Sequence, residues 1–451
     1  MRLPRTPPDD RAHLTRLLGS KADPEVAETF LQLALGGAAD PDDYPHWDKL
    51  RHLTPPDGLT SEDWWTAIRL QRRQAARSLP LRQTSGEPFT YNLTDHVLRL
   101  TDEITRMASG QITIDEHVTN PSLRDRYVVN SLIEEAITSS QLEGAVTTRR
   151  VAKEMLRRGR PPRDHSELMI VNNFAAMNRI TEVADQPLTP ELVREIHRVV
   201  VADALDDPAD AGRLQTEDQK RVTVRSVADD EVVHQPPPAS ELPDRLVELC
   251  RFANGEAGGQ YLPPLLRAIA VHFMCGYDHY FVDGNGRTAR ALFYWSMLHE
   301  GYWLAEFLTI SRILHQAPAQ YGRSFLLTET DNGDLTYFLL YQLQVIKRSI
   351  DDLRAHVQNS LAELRQAQHA LRALPDEFNH RQVALLSHAL RHPGFHYTAE
   401  SHASSHRVTT QTARTDLTTL AQAGMLTQHR SGHRYEWVAP DDLKNRIEER
   451  H

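Results

Sequence analysis

The chain has 451 residues, a hydrophobic fraction of 40% and a formal net charge of −10 at pH 7. This length suffices for about three domains with a sizeable core, and the negative charge argues against bulk affinity for nucleic acid. No apolar run is long enough to span a membrane, and the start of the chain lacks the apolar segment of an export signal. The two cysteines, Cys250 and Cys275, match no zinc or disulfide spacing. Composition therefore predicts a cytoplasmic protein without membrane contact.

Residues 1–120 are predicted to form an N-terminal helical region. Ser61-Glu-Asp-Trp-Trp65 is typical of a helix start and opens a helical stretch over 60–77. The steps Asp40-Pro41 and Pro55-Pro56 mark loops. We expect this region to pack on the segment that follows it.

A second helix is predicted over about 131–150. Apolar residues recur there at helical spacing: Leu132, Ile133, Ala136 and Ile137. They are followed by Ser139-Ser-Gln-Leu-Glu143-Gly144. Considered alone, Glu143 would be an ordinary surface acid of a helix.

Two short β-branched runs downstream predict a β-hairpin. They are Val222-Thr223-Val224-Arg225 and Val232-Val-His234, and the polar stretch 226–231 separates them. Prolines at 236–238 end the hairpin and lead into a helix that starts near Leu242.

The most informative segment is His279-Tyr-Phe-Val-Asp-Gly-Asn-Gly-Arg-Thr-Ala-Arg290. Its Gly284-Asn285-Gly286 core lets backbone N–H groups approach a phosphate closely, because glycine tolerates the positive φ angles that such a nest needs. The residues over 287–298 are predicted to be helical. The loop amides therefore lie at a positive helix N-terminus, which favours anion binding.

Side chains of the same segment supply the remaining chemistry. Arg287 and Arg290 are three residues apart and share one helical face. Asp283 is a hard oxygen ligand suited to magnesium, the usual companion of a nucleotide polyphosphate. His279 can take a proton from an attacking hydroxyl group. Each feature alone would be explained by a turn, a helix cap or a solvated surface, but together they predict a site that moves a phosphorus-centred group from a nucleotide.

This segment resembles the signature of the Fic family (Fic/Doc fold), His-x-Phe-x-Asp/Glu-Gly-Asn-Gly-Arg-x-x-Arg. Every defining position matches: His279, Phe281, Asp283, Gly284, Asn285, Gly286, Arg287 and Arg290. Tyr280 departs from the proline that many members carry. The resemblance implies a mainly α fold, in which a Fic-type helical core carries a short β-hairpin flap (about 211–238) within a catalytic domain over 121–350.

The helix upstream resembles the inhibitory motif of the same family, Ser/Thr-x-x-x-Glu-Gly/Asn, through Ser139, Glu143 and Gly144. The resemblance implies that the Glu143 carboxylate holds Arg290 in a bidentate pair and occupies the space of the γ-phosphate. Because both motifs lie in one chain, we expect the inhibition to be intramolecular.

The resemblance also implies a reaction, protein adenylylation (AMPylation). ATP would bind with Mg²⁺ held by Asp283 and the phosphates. The remaining signature residues would divide the phosphates between them, with the Gly284–Gly286 amides and Asn285 on the α-phosphate and with Arg287 and Arg290 on the β- and γ-phosphates. His279 would take the proton from a Ser, Thr or Tyr hydroxyl of a target protein or of the chain itself. The flap would dock the target by strand addition along its first run: Val222, Thr223, Val224 and Arg225.

Other activities stay open at this point. A Fic enzyme can use another nucleotide donor such as UTP, or can remove AMP from targets while Glu143 orients a water molecule. A DNA-binding regulator with a nucleotide-sensing core is a further alternative, although an intact His279 argues against it. Family members often pair through the core or the inhibitory region, so a homodimer is also left open.

The C-terminal part is predicted to comprise a linker helix over 351–375 and a winged-helix-like domain over 376–451. The segment Thr412-Ala-Arg-Thr-Asp-Leu resembles the recognition helix of winged helix-turn-helix domains, and Gly424 would end that helix. In a DNA reader, Thr409, Gln411 and Arg414 would face the groove. Because basic and acidic residues are equal in number over 376–451, at nine each, we favour protein interaction over DNA binding.

Overall fold

The computed structural model describes residues 3–19, 23–35, 44–108, 121–225, 232–258, 260–372, 377–431 and 434–450. The chain divides into two compact units: residues 1–113 with 127–350, and residues 114–126 with 351–451. The predicted loop at Asp40-Pro41 and the predicted polar stretch 226–231 lie outside the described residues.

The described residues are mainly helical, so the predicted fold class is confirmed. In chain order, the α-helices are α1 (Asp10–Leu18), α2 (Pro24–Leu35), α3 (Trp47–Leu50), α4 (Ser61–Ala75), α5 (Asp95–Ala108), α6 (Pro121–Leu142), α7 (Arg149–Arg158), α8 (His165–Glu182), α9 (Pro190–Val200), α10 (Leu242–Ala253), α11 (Pro264–Asp278), α12 (Asn285–His299), α13 (Ile310–Gln316), α14 (Pro318–Thr330), α15 (Thr336–Arg372), α16 (His380–Arg391), α17 (Ala399–His406), α18 (Thr410–Gln422) and α19 (Leu443–Glu448). The strands are β1 (Arg77–Arg82), β2 (Pro88–Tyr91), β3 (Val224–Arg225), β4 (Val232–His234), β5 (His396–Tyr397), β6 (Thr427–Ser431) and β7 (Arg434–Val438).

The N-terminal helices belong to the same compact unit as the segment that carries the signature. Helix α4 begins at Ser61 because Thr60 and Asp63 form a reciprocal capping box, as the sequence pattern predicts. Strand β2 joins the later chain directly, since the Thr90 N–H donates to the Gly333 carbonyl (3.0 Å). The described residues of this region are therefore joined to the later chain at β2.

Helices α11 and α12 form the centre of this unit. The apolar run of α11 is buried on nearly every side, which fits a helix covered by neighbours all round. Helix α12 packs against α11 and is almost as fully buried. The signature connects the end of α11 to the start of α12, so the loop between these two buried helices is held from both sides.

The predicted hairpin is present but shorter than the sequence suggests. Strands β3 and β4 pair antiparallel, with Val224 opposite His234 and Arg225 opposite Val232. Pairing thus begins at Val224 rather than at Val222, because the Val222 N–H instead donates to the Gln215 side chain (3.3 Å).

Both cysteines are unpaired and buried. None of the described helices combines the length and the apolar character that crossing a bilayer requires.

The second unit has its own hydrophobic core, which packs helices α16 and α18 around Trp437 of the sheet β5-β7-β6. Its described elements follow the order helix, strand, helix, helix, strand, strand and a short final helix. The winged-helix interpretation of this order stays a prediction. The predicted linker segment over 351–375 is helical as far as Arg372, but it is the later part of one long helix, since α15 runs without a break from Thr336 to Arg372. Its role as a linker stays a prediction. The last turns of α15 contribute Ala367 and Leu371 to the core of the second unit.

Candidate active site

His279 terminates helix α11 in the left-handed region, with φ 47° and ψ 61°. This conformation costs a residue other than glycine about 1–3 kcal/mol, so the surrounding structure must maintain it. Its Nδ1 lies 2.6 Å from the Gly276 carbonyl oxygen, and a carbonyl can only accept. Nδ1 therefore carries the proton, and Nε2 is the basic nitrogen of the neutral ring. Burial lowers the pKa of His279 to about 4, which keeps the imidazole neutral at physiological pH.

A buried ion pair lies directly beside His279. The Asp278 carboxylate accepts from the Arg245 guanidinium (2.8 Å) and from the Tyr280 hydroxyl (2.6 Å). Burial raises the pKa of Asp278, although Arg245 opposes this shift. Tyr280, the position that departs from the family pattern, thus supports the turn through its hydroxyl group.

Gly284 opens the loop into helix α12 with φ 76°. A Cβ atom there would lie 2.6 Å from the Val201 side chain, so both the backbone conformation and the lack of space require glycine. Asn285 holds the loop in shape, since its Oδ1 accepts from the Phe281 N–H (2.9 Å) and its Nδ2 donates to the Phe281 carbonyl (2.7 Å). The side-chain amide of Asn285 is therefore committed to the backbone, and only its main-chain N–H remains for the α-phosphate role that the resemblance implies.

His197 braces the other side of the loop, although no sequence pattern identifies it. Its ring stacks on Phe281 with centroids 3.7 Å apart. Its Nδ1 accepts from the Gly212 N–H, and its Nε2–H donates to the Asp283 carbonyl (both 2.9 Å). Burial lowers the pKa of His197 to about 4, so the neutral tautomer that makes both bonds is the stable one.

The Asp283 side chain is 59% exposed, and its carboxylate has only a long contact (3.4 Å) to Arg287. Such an accessible carboxylate suits Mg²⁺, which keeps several water ligands and commonly binds one or two carboxylates together with phosphates. No cluster of three or more metal-binding side chains occurs among the residues that the structure describes.

The two arginines of the signature have different partners. Arg287 is 1% exposed and donates to the Val200 carbonyl (3.1 Å) as well as to Asp283. Arg290 donates through Nε to the Ser139 hydroxyl (2.8 Å) and through Nη2 to the Ser139 carbonyl (2.9 Å). Burial does not separate the two arginines, because Arg290 is also 1% exposed. The role of Arg287 in binding a phosphate stays a prediction.

Glu143 reaches Arg290 across 147 residues of sequence. Its Oε1 lies 2.9 Å from Arg290 Nη2, and the glutamate side chain stays 32% exposed. Burial disfavours the charged guanidinium, but the Glu143 carboxylate raises the pKa of Arg290 above its usual value. The expected bidentate geometry is wrong, because Nε and one hydrogen of Nη2 bind Ser139, and one oxygen of Glu143 carries the contact.

Gly286 shows where this carboxylate lies. A Cβ atom on Gly286 would fall 2.1 Å from Glu143 Oε1 and 3.0 Å from Oε2. Gly286 belongs to the first turn of α12, so the carboxylate lies against the N-terminal turn of that helix. Gly144 follows with φ 96° and lets the chain leave α6 beyond the glutamate.

Comparison with known proteins agrees with this geometry. Residues 187–297 match the family described as Fic/DOC family. A protein adenylyltransferase Fic from Nematostella vectensis is 22% identical over 260 residues, which cover 57% of this chain and 55% of that protein. Protein adenylyltransferase fic-1 from Caenorhabditis elegans is 26% identical over 183 residues, which cover 40% of this chain and 33% of that protein. The chain thus spans about half or less of the length of these curated relatives.

A solved structure supports the fold. The crystal structure of a Fic family protein from Desulfovibrio desulfuricans G20 matches with a TM-score of 0.51 and 18% identity, and the match covers 78% of this chain and 98% of that chain. The helical architecture and the signature loop therefore define a protein of the Fic fold. Within it, residues 187–297 are the part that matches the Fic/DOC family.

Proposed function

We propose that the chain is a protein adenylyltransferase that transfers AMP from ATP to Ser, Thr or Tyr hydroxyls of proteins, including itself. One observation carries this proposal: the Glu143 carboxylate lies over the first turn of α12, against Gly286 and 2.9 Å from Arg290. An anionic group already occupies the place where helix amides and a buried guanidinium favour negative charge. A nucleotide polyphosphate has the charge and the oxygen atoms to bind the same groups.

The protonation state of His279 suits the acceptor side of this reaction. With Nδ1 bonded to the Gly276 carbonyl, Nε2 can take the proton of a hydroxyl group. The hydroxyl oxygen forms a bond to the α-phosphorus, the bond from that phosphorus to the β-phosphate bridge breaks, and pyrophosphate leaves. Bound phosphates raise the proton affinity of a nearby imidazole, which offsets the low pKa of His279 in the protein without nucleotide.

Magnesium would be held by Asp283 and by the phosphates of ATP. The ion supplies positive charge that neutralises the polyphosphate. Gly284, Asn285 and Gly286 contribute main-chain N–H groups, and Arg290 contributes a guanidinium. Because all of these groups are fixed by buried helices, positioning and electrostatic stabilisation should provide most of the rate.

In this proposal Glu143 is an intramolecular inhibitor. While its carboxylate holds Arg290, that guanidinium is not available to a phosphate, and the two anions would also repel each other. Ser139, on helix α6 just before Glu143, binds Arg290 as well and keeps it in place. Release of Glu143 would free Arg290 without dismantling the rest of its support.

The proposal is tested by mass spectrometry of the purified chain after incubation with ATP and Mg²⁺. Glu143→Gly should gain the mass of AMP, and Glu143→Gly combined with His279→Ala should gain none. Wild type should gain much less than the single variant. No added mass in the Glu143→Gly variant would reject adenylylation from ATP. Incubation with UTP would then test another donor, and sequence-selective binding of DNA would favour the regulator.

Removal of AMP from a modified protein is the second candidate. Glu143 uses only Oε1 on Arg290, so Oε2 of a partly exposed carboxylate could orient a water molecule. Release of free AMP from a modified protein by wild type, but not by Glu143→Gly, would favour this hydrolytic reaction.

A further inference from the structure

Helix α11 ends in a row of backbone carbonyl groups at the turn that carries His279. The last carbonyls of a helix have no partner within the helix and must find donors elsewhere. Here the four consecutive carbonyls of residues 277–280 accept hydrogen bonds from the segment over 215–234, which contains the hairpin β3–β4. This segment therefore caps the helix that ends at His279.

Arg221 makes two of these four bonds. Its Nη1 donates to the His279 carbonyl (2.8 Å), and its Nη2 donates to the Asp278 carbonyl. Its Nε donates to the Pro237 carbonyl (2.8 Å), and Nη1 also contacts the Gln215 side chain. A guanidinium at this place also opposes the negative end of the helix dipole. One side chain thus joins both ends of the hairpin to the turn.

His234 makes a second connection, from strand β4. Its Nε2 lies 2.7 Å from the Tyr277 carbonyl oxygen and must donate to it, while its Nδ1 lies 2.7 Å from Glu329 Oε2 on helix α14. The side chain is 6% exposed, and its ring centroid is 6.4 Å from that of His279. The strand next to the turn is therefore fastened both to the turn and to α14.

Gln215 completes the row. Its backbone N–H donates to the Tyr280 carbonyl (2.9 Å). Its side-chain oxygen accepts from the Val222 N–H (3.3 Å) and from Arg221. The start of the hairpin is thereby tied to the residue after His279, so the cap spans both sides of the imidazole.

We propose that Arg221 and His234 are positioning residues that couple the hairpin to His279. By holding the left-handed backbone of His279 from the hairpin side, they fix the imidazole relative to a peptide paired with the hairpin. In this backbone conformation Nδ1 of His279 lies 2.6 Å from the Gly276 carbonyl oxygen, so loss of the cap should also weaken the preference for the tautomer that is protonated at Nδ1. The benefit for AMP transfer rests on the proposed function, whereas the coupling rests on the hydrogen bonds alone.

The coupling is tested by NMR of the full-length chain carrying ¹⁵N-labelled histidine, with the His279 signals identified by their loss in His279→Ala. Wild type should show Nδ1 protonated and Nε2 bare at neutral pH. Arg221→Gln and His234→Ala should each shift the His279 signals toward a mixture of tautomers. Arg221→Lys keeps a hydrogen-bond donor and the positive charge, so its His279 signals should lie between those of the two other variants and those of wild type. The matched control Arg179→Gln removes an arginine that pairs with Glu182 and Glu195.

Unchanged His279 signals in both Arg221→Gln and His234→Ala would overturn the proposal. Thermal unfolding shows whether each variant is folded, and Arg221→Lys replaces Arg221→Gln if the latter is not. A shift that also appears in Arg179→Gln would likewise overturn it, because the effect would then be general loss of structure.

Activity in the Glu143→Gly background separates this proposal from the proposed function. Arg221→Gln should lower kcat on the order of 10²-fold, the effect of a misplaced reacting group, with KM for ATP changed by less than about threefold. A higher KM with unchanged kcat would contradict a positioning role. If no form of the chain transfers AMP, the proposed function fails, and the NMR measurement still decides the coupling.

Discussion

Replacing Glu143 by glycine should increase the affinity of the chain for ATP. The glutamate contributes one charge-assisted contact to Arg290, at 2.9 Å. A hydrogen bond to a charged group is worth about 1.5–3 kcal/mol, and the 32% exposure of the carboxylate places this one at the lower end. A free-energy difference of about 1.4 kcal/mol is a tenfold difference in Kd. The chain that retains Glu143, which ATP must displace, should therefore bind ATP about 10- to 30-fold more weakly than the Glu143→Gly variant.

Calorimetric titration of Mg-ATP into chains that also carry His279→Ala measures this difference without turnover. Glu143→Gln removes the charge but keeps the shape, so it should recover part of the affinity and separate electrostatic from steric inhibition. Glu154→Gln is the control, since Glu154 pairs with Arg158 on the exposed face of α7. Equal Kd values for the chain that retains Glu143 and the chain that carries Glu143→Gly would refute the reasoning.

Three further outcomes follow from the loop and its histidines. Asn285→Ala leaves the Phe281 N–H and carbonyl without partners and should lower the free energy of unfolding by about 1–3 kcal/mol; an unchanged urea midpoint would contradict this. Asp283→Asn should raise the Mg²⁺ concentration for half-maximal transfer at least about tenfold, and a chelator should abolish transfer; an unshifted Mg²⁺ titration would exclude Asp283 as a ligand. In the folded chain, burial lowers the pKa values of His279 and His197 to about 4, from an ordinary value of 6.5. As the pH falls below about 6.5, the unfolded chain takes up protons before the folded chain does. The contribution of these two histidines to stability is therefore complete above about pH 6.5 and is lost as the pH falls toward 4. Thermal unfolding between about pH 7.5 and 4.5 measures this loss, and a melting temperature independent of pH in that range would be the contrary result.

The sequence constrains the candidate site most strongly where one short segment contains it. The glycines, His279 and Asp283 lie within a few residues of one another, so local geometry constrains them strongly. The contact between Glu143 and Arg290 was predicted because each residue lies in a segment that resembles a motif of the Fic family. The structure brings the two side chains together through one carboxylate oxygen and not in the expected bidentate pair.

The remaining supports could not be predicted, for a physical reason. Arg221, His234 and His197 act on backbone carbonyl groups, which every residue possesses, so the acceptor end carries no pattern of residue types. The bonds also span long separations, 58 residues from Arg221 to His279 and 86 from His197 to Asp283. Only the packed fold brings these groups within reach. The sequence analysis placed a domain boundary near residue 350 and a linker helix after it, whereas in the structure one helix, α15, continues across this position.

Because Glu143 approaches Gly286 closely, mutations of these two residues should have opposite effects on activity. The space above Gly286 would serve two alternative occupants, the glutamate and the polyphosphate, and a side chain added there would narrow it for both. Substitutions at Gly286 should therefore abolish both the inhibition by Glu143 and the transfer of AMP. Changes at Glu143 withdraw only the internal occupant. Variants with gained activity, if selected from a random library, should thus cluster near the end of α6 and be absent from the loop, even though both lie at the same contact.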